Sequence, residues 1–273
     1  MNENCFIILS HSSYCDVWEL TLKSYKNHFK SENIDLYITS DDNISPEVKN
    51  RVVNLGFKIL YYPEDISWSE SLRYVFNNYI SINYSAVVFS FDDLVLLNEV
   101  HIVKFQECLS NMTGMDYLVL NSGHRNLFTD ISLMFKAKRP YFKISKNDSY
   151  VGSLVFSMWN TAFFSKIINL SELDNLNPWQ YEVEISKILD KHEKNGFYSV
   201  KKPLIEFANV IVKGKILQQE LNKVHKYNQK EYITNRLCMD FSEEMRFNIY
   251  RKFFMIMRYL LPHSIFKKLR KTY

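Results

Sequence analysis

Glycine and proline are scarce in this chain, six of each in 273 residues. So few turn formers argue against a turn-rich β-sandwich and against a low-complexity linker. The cysteines Cys5, Cys15, Cys108 and Cys238 share no paired spacing. That excludes a zinc ribbon or disulfide framework and fits a reducing cytoplasm. No run approaches the roughly 20 consecutive apolar residues of a spanning helix. The first apolar run, residues 5–9, is short and follows Glu3, so no secretory signal is expected. The histidines, His124 and His225 among them, form no i, i+4 pair, which disfavours a histidine metal site. There is no Walker lysine loop, no Gly-x-Gly-x-x-Gly and no Gly-x-Ser-x-Gly. P-loop, dinucleotide-binding dehydrogenase and α/β-hydrolase chemistries lose their main signals.

What the chain does have is apolar material, 47% hydrophobic and 15% aromatic, enough for a sizeable core. The length suits one large domain, or a domain with an appendage. Net charge is +4, but residues 241–273 hold eight Lys/Arg and two Glu, or +6, which leaves −2 for the first 240. The basic character belongs to the tail, and no nucleic acid partner is expected.

Strand-like runs alternate with helical periodicity. Residues 5–9 read as a strand ending in Ser10-His11-Ser12-Ser13. Trp18, Leu22, Tyr25 and Phe29 then fall on one helix face. Residues 34–39 and 57–61 are further strands, the first ending in Ser40-Asp41-Asp42. Ser67-Trp68-Ser69-Glu70 has the form of a capping box opening a helix. Residues 86–96 are an apolar run interrupted by Asp92-Asp93, and 116–120 is a fifth strand. The alternation predicts an α/β fold with a mostly parallel sheet and right-handed crossovers. Residues 123–151 read as loops, 152–158 as a strand and 160–170 as a helix. Residues 177–182 lead into another helix, and 209–215 form a strand opening into a turn. A helix over 242–261 carries Met245, Ile249, Phe253, Ile256 and Leu260 as one stripe, with Asn248, Arg251 and Arg258 opposite. A boundary after residue 216 separates a catalytic domain, 1–216, from a C-terminal helical extension, 217–273.

Two ionised carboxylates inside a buried strand are costly unless something pairs them, which places Asp92 and Asp93 at its carboxyl end. In open α/β sheets that edge binds ligands. The pair suits Mn²⁺ or Mg²⁺ bridging to a diphosphate; the plainer alternative is a solvated turn. Ser10, His11 and Asp41 end neighbouring strands and are candidates for holding a nucleoside. Lys213 and Lys215 flank Gly214 and either reach phosphates or sit on an exposed turn. Glu182, after Pro178-Trp179-Gln180-Tyr181, is a candidate general base, or a helix-start carboxylate answering the macrodipole. Trp179 and Tyr181 could face a sugar. The tail helix either lies on an anionic membrane surface or packs on the domain with its basic side solvated.

Four blocks, in order through residues 5–215, resemble bacterial glycosyltransferases of the GT-A fold. These are similar to inverting family 2-like enzymes and occur in capsule and O-antigen gene clusters. The blocks are Asp16-Val17-Trp18 with residues 36–41; Trp68-Ser69-Glu70-Ser71-Leu72 with residues 86–96; residues 152–159 with Asn177-Pro178-Trp179-Gln180-Tyr181-Glu182; and residues 209–215. The resemblance implies a nucleotide-sugar donor, a lipid-linked glycan acceptor and a site at the inner face of the cytoplasmic membrane. It makes Asp93 and Asp92 the metal and diphosphate contact and Glu182 the base, with Ser69 and Arg73 on the donor. The family's Asp-x-Asp is here Phe91-Asp92-Asp93, and Ser71 stands where related sequences often carry Arg. A nucleotidyltransferase, or a non-catalytic carbohydrate- or membrane-binding subunit, is the alternative.

Overall fold

The computed structural model describes residues 3–30, 34–121, 126–134, 140–145, 148, 151–191, 196–227, 236–262 and 264–266. Its first half is the alternation expected from sequence. β1 (Asn4–Leu9), β2 (Asp35–Asp41) and β3 (Lys58–Tyr62) run parallel, and β4 (Ala86–Phe91) lies parallel on the other side of β1. β1 is buried on both faces by alternation. Phe6 and Ile8 join Trp18, Leu22 and Tyr25 of α1 (Cys15–His28), and Phe29 just past its end, in one core. Cys5, Ile7 and Leu9 face the other way, into a second core. Leu72 and Val75 of α3 (Trp68–Val75) line that core with Trp159 and Phe164. Successive side chains of a strand point to opposite faces, so one five-residue run seeds two cores.

The second half is less regular. β5 (Leu94–Leu96) leaves the main sheet, which β6 (Tyr117–Val119), β7 (Tyr141–Lys143), β8 (Ser157–Asn160) and β9 (Phe197–Val200) complete in the order β3-β2-β1-β4-β8-β6-β9-β7. β8 is antiparallel to β4 and β6, β9 is parallel to β6, and β7 is antiparallel to β9. The result is a mixed, mostly parallel sheet between helical layers. β10 (Phe207–Asn209) pairs antiparallel with β5, and β11 (Ile211–Val212) forms a hairpin with β12 (Lys215–Ile216). A third core joins Val17 and Leu20 of α1 to Val95, Ala208, Val210, Ile211 and Ile216. Leu221 and Val224 of α8 (Gln218–Tyr227) close it.

Several segments differ from the sequence reading. Residues 123–151 contain α5 (Leu127–Met134) and β7 rather than loops alone. β7 is three residues long and its pairing comes from β9, a partner more than fifty residues away. Residues 152–156 are loop, and the strand starts at Ser157, after Phe156 at φ +47°. Residues 209–215 hold two short strands and a two-residue turn in which Lys213 and Gly214 both have positive φ, the geometry of a type I′ hairpin. α2 (Pro46–Asn54) and α4 (Ile102–Ser110) are helices beyond those read from sequence. α6 (Thr161–Ile168), α7 (Pro178–Asp190) and α9 (Phe241–Leu260) lie where periodicity put them.

Candidate active site

The acidic pair forms the turn between β4 and β5. Phe91 closes the ladder opposite Leu9, and Val210 N–H donates to the Asp93 carbonyl (3.0 Å). The Thr21 hydroxyl donates to the Asp92 carbonyl, which fastens the turn to α1. Asp92 is buried, and one carboxylate oxygen accepts from Ser10 Oγ. Ser10 Oγ itself accepts from Trp18 Nε1 (2.6 Å), while Ser10 N–H donates to Thr39 Oγ1 (2.8 Å). Burial and the neighbouring Asp93 charge hold the Asp92 carboxyl well above the usual range. Burial pushes Asp93 up to about 7. The Ser10 hydroxyl on Asp92, a backbone amide on Asp93 and, after these, Arg236 on both offset part of that rise.

That arginine arrives from the C-terminal segment. Its Nε and Nη2 donate to the two oxygens of Asp16 (2.7 and 2.8 Å), and Nη2 also donates to the Ser13 carbonyl (2.8 Å). Its guanidinium stacks 4.3 Å from the centroid of Tyr14. The fork thus matches one carboxylate and one aromatic face at the end of β1. Nothing in local sequence marks Arg236, because its partners lie some 220 residues away.

Asp41 ends β2 beside this group. It accepts from Ser12 N–H and Ser12 Oγ, each at 2.9 Å, and from Ser40 Oγ at 3.3 Å. Burial raises its proton affinity, but the Ser12 donors and His11 outweigh it and leave Asp41 below the usual carboxylate range. His11 is exposed, its Nε2 3.6 Å from Asp41 and its Nδ1 accepting from Ser13 N–H. Ser10, His11, Asp41, Asp92 and Asp93 therefore share one sheet edge.

Glu182 is held by a different set of elements. α7 opens with a second capping box, Asn177 with Gln180, and with Pro178 at its first position. One turn in, Glu182 Oε1 accepts from Ser153 Oγ (2.8 Å) and Leu154 N–H (3.1 Å). These belong to the loop that ends at the strained Phe156. Two ring contacts tie this corner to the acidic pair. Trp68 stacks on Phe91, which precedes Asp92, at 6.2 Å, and meets Tyr181, which precedes Glu182, edge-on at 5.4 Å.

Other candidate residues have different surroundings. Tyr181 is wholly buried beside Trp68, so the expectation that it faces a sugar is corrected: at i, i+4 with Ile185 it lies on the core face of α7. Trp179 is 79% exposed at the same helix start. Ser69 is buried and exchanges hydrogen bonds with Leu176, holding the approach to α7. Arg73 donates to the carbonyls of Ile168 and Leu170 and pairs with Asp174 (2.5 Å), which ties α3 to the segment after α6. Lys213 occupies the hairpin turn, and Lys215 pairs with Glu243 of α9 (2.7 Å). His124 lies outside the described residues, as does the side chain of His225.

No protein-family model matches the chain, and neither does any curated protein. Solved structures do. S. aureus TarS 1-349 in complex with UDP-GlcNAc aligns with TM-score 0.53 at 10% identity over 84% of this chain and 68% of that one. The same TarS fragment alone gives 0.50 at 10% identity over 81% of this chain. The fold is GT-A-like. The chain spans 63% of that TarS fragment and 41% of a longer TarS chain. A cytidylyltransferase from Leptospira borgpetersenii aligns over 97% of this chain and 90% of its own, but at TM-score 0.45 and 12% identity that likeness carries no argument.

The donor set at Asp92-Asp93 suits a hard divalent cation. Two adjacent carboxylates with raised proton affinity are short of positive charge, and oxygen ligands are what Mg²⁺ and Mn²⁺ take. Among the described residues no group of three His, Cys, Asp or Glu forms a closed metal cage. A cation here would complete its shell with phosphate oxygens and water.

Proposed function

We propose that this chain is a glycosyltransferase that moves a sugar from a nucleoside diphosphate to a hydroxyl of a lipid-linked glycan, in capsule or O-antigen assembly. The observation that supports the reading is the Phe91–Trp68–Tyr181 contact chain, through which the segment bearing Glu182 packs toward the segment bearing the carboxylate pair. The structural neighbour that holds UDP-GlcNAc supports the donor class. Ser10, His11 and Asp41 form the nucleoside end. Asp93 and Asp92 would hold Mn²⁺ or Mg²⁺, a cation that would supply neutralising charge for a departing diphosphate. Arg236 adds fixed positive charge at the same edge.

Glu182 takes the acceptor hydroxyl's proton as that oxygen attacks the anomeric carbon and the bond to the diphosphate breaks. The Ser153 hydroxyl and Leu154 amide orient one of its oxygens for this work. In-line attack inverts the anomeric centre. The exposed Trp179 offers the acceptor sugar an aromatic face. The cytoplasmic face of a membrane is where such an acceptor is met, and no helix among the described residues is long and apolar enough to cross one.

A thermal-shift panel of UDP and GDP with and without Mn²⁺, run beside a donor-hydrolysis assay, tests this reading. Stabilisation by one nucleotide is expected, stronger with Mn²⁺. Glu182→Gln should keep that shift and lose transfer by about a thousandfold or more. Absence of any nucleotide shift, or full turnover by the Gln variant, overturns the assignment.

A further inference from the structure

α9 sits on the body of the protein the wrong way round for a soluble helix. Its polar face is turned inward. Glu244, 2% exposed, accepts from Gln219 N–H (2.9 Å), and Asn248 donates to the Gln219 side chain (3.0 Å). Arg251 pairs with the buried Glu220, which Lys223 also contacts (2.8 Å). Further along, Arg258 lies 3.7 Å from Asp148, and Tyr259 Oη donates to Asp130 of α5 (3.0 Å). The apolar stripe faces out. Met245, Ile249, Phe253, Ile256 and Leu260 are between 46% and 60% exposed. A helix packed on a domain ordinarily buries that stripe and solvates the other.

Two neighbouring features extend the surface. α5, joined to α9 through Asp130, exposes Leu127, Phe128 and Ile131. Arg246 and Lys252 are exposed on opposite borders of the stripe, and residues 241–273 carry +6 while the rest of the chain carries −2. A second copy docked through this face would oppose like charges across the contact, which disfavours it. An anionic phospholipid surface offers both what the stripe needs and what its borders need.

We propose that α9, with α5 beside it, is a membrane-docking face that lays this chain on an anionic phospholipid surface. The helix spans about 30 Å, lying in the plane of the headgroups with its stripe in the acyl boundary.

Flotation of the full chain with vesicles tests the docking, using phosphatidylcholine alone and phosphatidylcholine mixed with phosphatidylglycerol. Binding to the mixed vesicles is expected, weakening with added salt. Phe253→Asp and Ile256→Asp, both at exposed positions, should keep the melting temperature and each lower partitioning about tenfold. Arg246→Ser and Lys252→Ser should each lower it about fivefold, on mixed vesicles only. A chain that stays with the soluble fraction at low salt overturns the inference. So does a dimer in light scattering that Phe253→Asp splits, which would mean a second copy covers the stripe. Vesicle binding by a chain that shifts with no nucleotide keeps this inference and removes the proposed function.

Discussion

Asp93→Asn should make the metal-free protein more stable at pH 8 and nearly leave it alone at pH 4. In the fold the Asp93 carboxyl holds its proton up to about 7, against 3.8 ordinarily, because burial opposes its charge. Between those values the folded chain binds more protons than the unfolded one, so stability falls as pH rises through that window. The full rise corresponds to about 4 kcal/mol at neutral pH and above. Asp93 keeps some contact with solvent, and water relaxes such a charge, so about half of that, roughly 2 kcal/mol, is the working expectation. For a chain of this size that is about 4–8 °C in melting temperature. The assay is thermal unfolding from pH 4 to pH 8 in chelator, for the wild-type chain and the Asn variant. The wild-type curve should drop away from the variant above about pH 5. Mn²⁺ with UDP at pH 8 should restore the wild-type chain and not the variant, since bound ligand stabilises by mass action. Two curves that run parallel across the whole range would refute the electrostatic reasoning.

Gly152→Ala puts a Cβ 2.9 Å from Ile185 Cγ2 and Leu189 Cδ1 at a φ of +96°; a loss of about 1–3 kcal/mol in denaturant titration is expected. Because Gly152 adjoins Ser153, transfer should fall further than stability alone explains. Ser67→Ala removes the acceptor for the Glu70 amide and should cost about 1 kcal/mol, read by the same titration. Arg236→Ala removes a cation that lowers both carboxyls, so the midpoint of Mn²⁺ binding against pH should move up.

Local chemistry alone determined much of this molecule. Five consecutive apolar residues in β1 were enough to require two cores, and Trp18, Leu22 and Tyr25 share one face of the helix laid on that strand, with Phe29 just past its end. Ser67 and Glu70 set the start of α3 because an end with unpaired amides needs those two side chains. Asp92-Asp93 had to leave the buried strand, because ionised carboxylates do not sit unpaired in an apolar ladder. Tertiary structure decided the rest. It gave β6 and β7 their pairing, since three-residue strands gain too few hydrogen bonds to be specified by their own sequence. It sent Tyr181 inward and left Trp179 outside, a choice that depends on where α7 meets Trp68. It brought Arg236 across the chain to Asp16, and it turned α9 over. Periodicity found the apolar stripe of that helix but not which way it faces. That was settled by Gln219 and Glu220, whose pairing with Glu244, Asn248 and Arg251 leaves the stripe for something outside the protein.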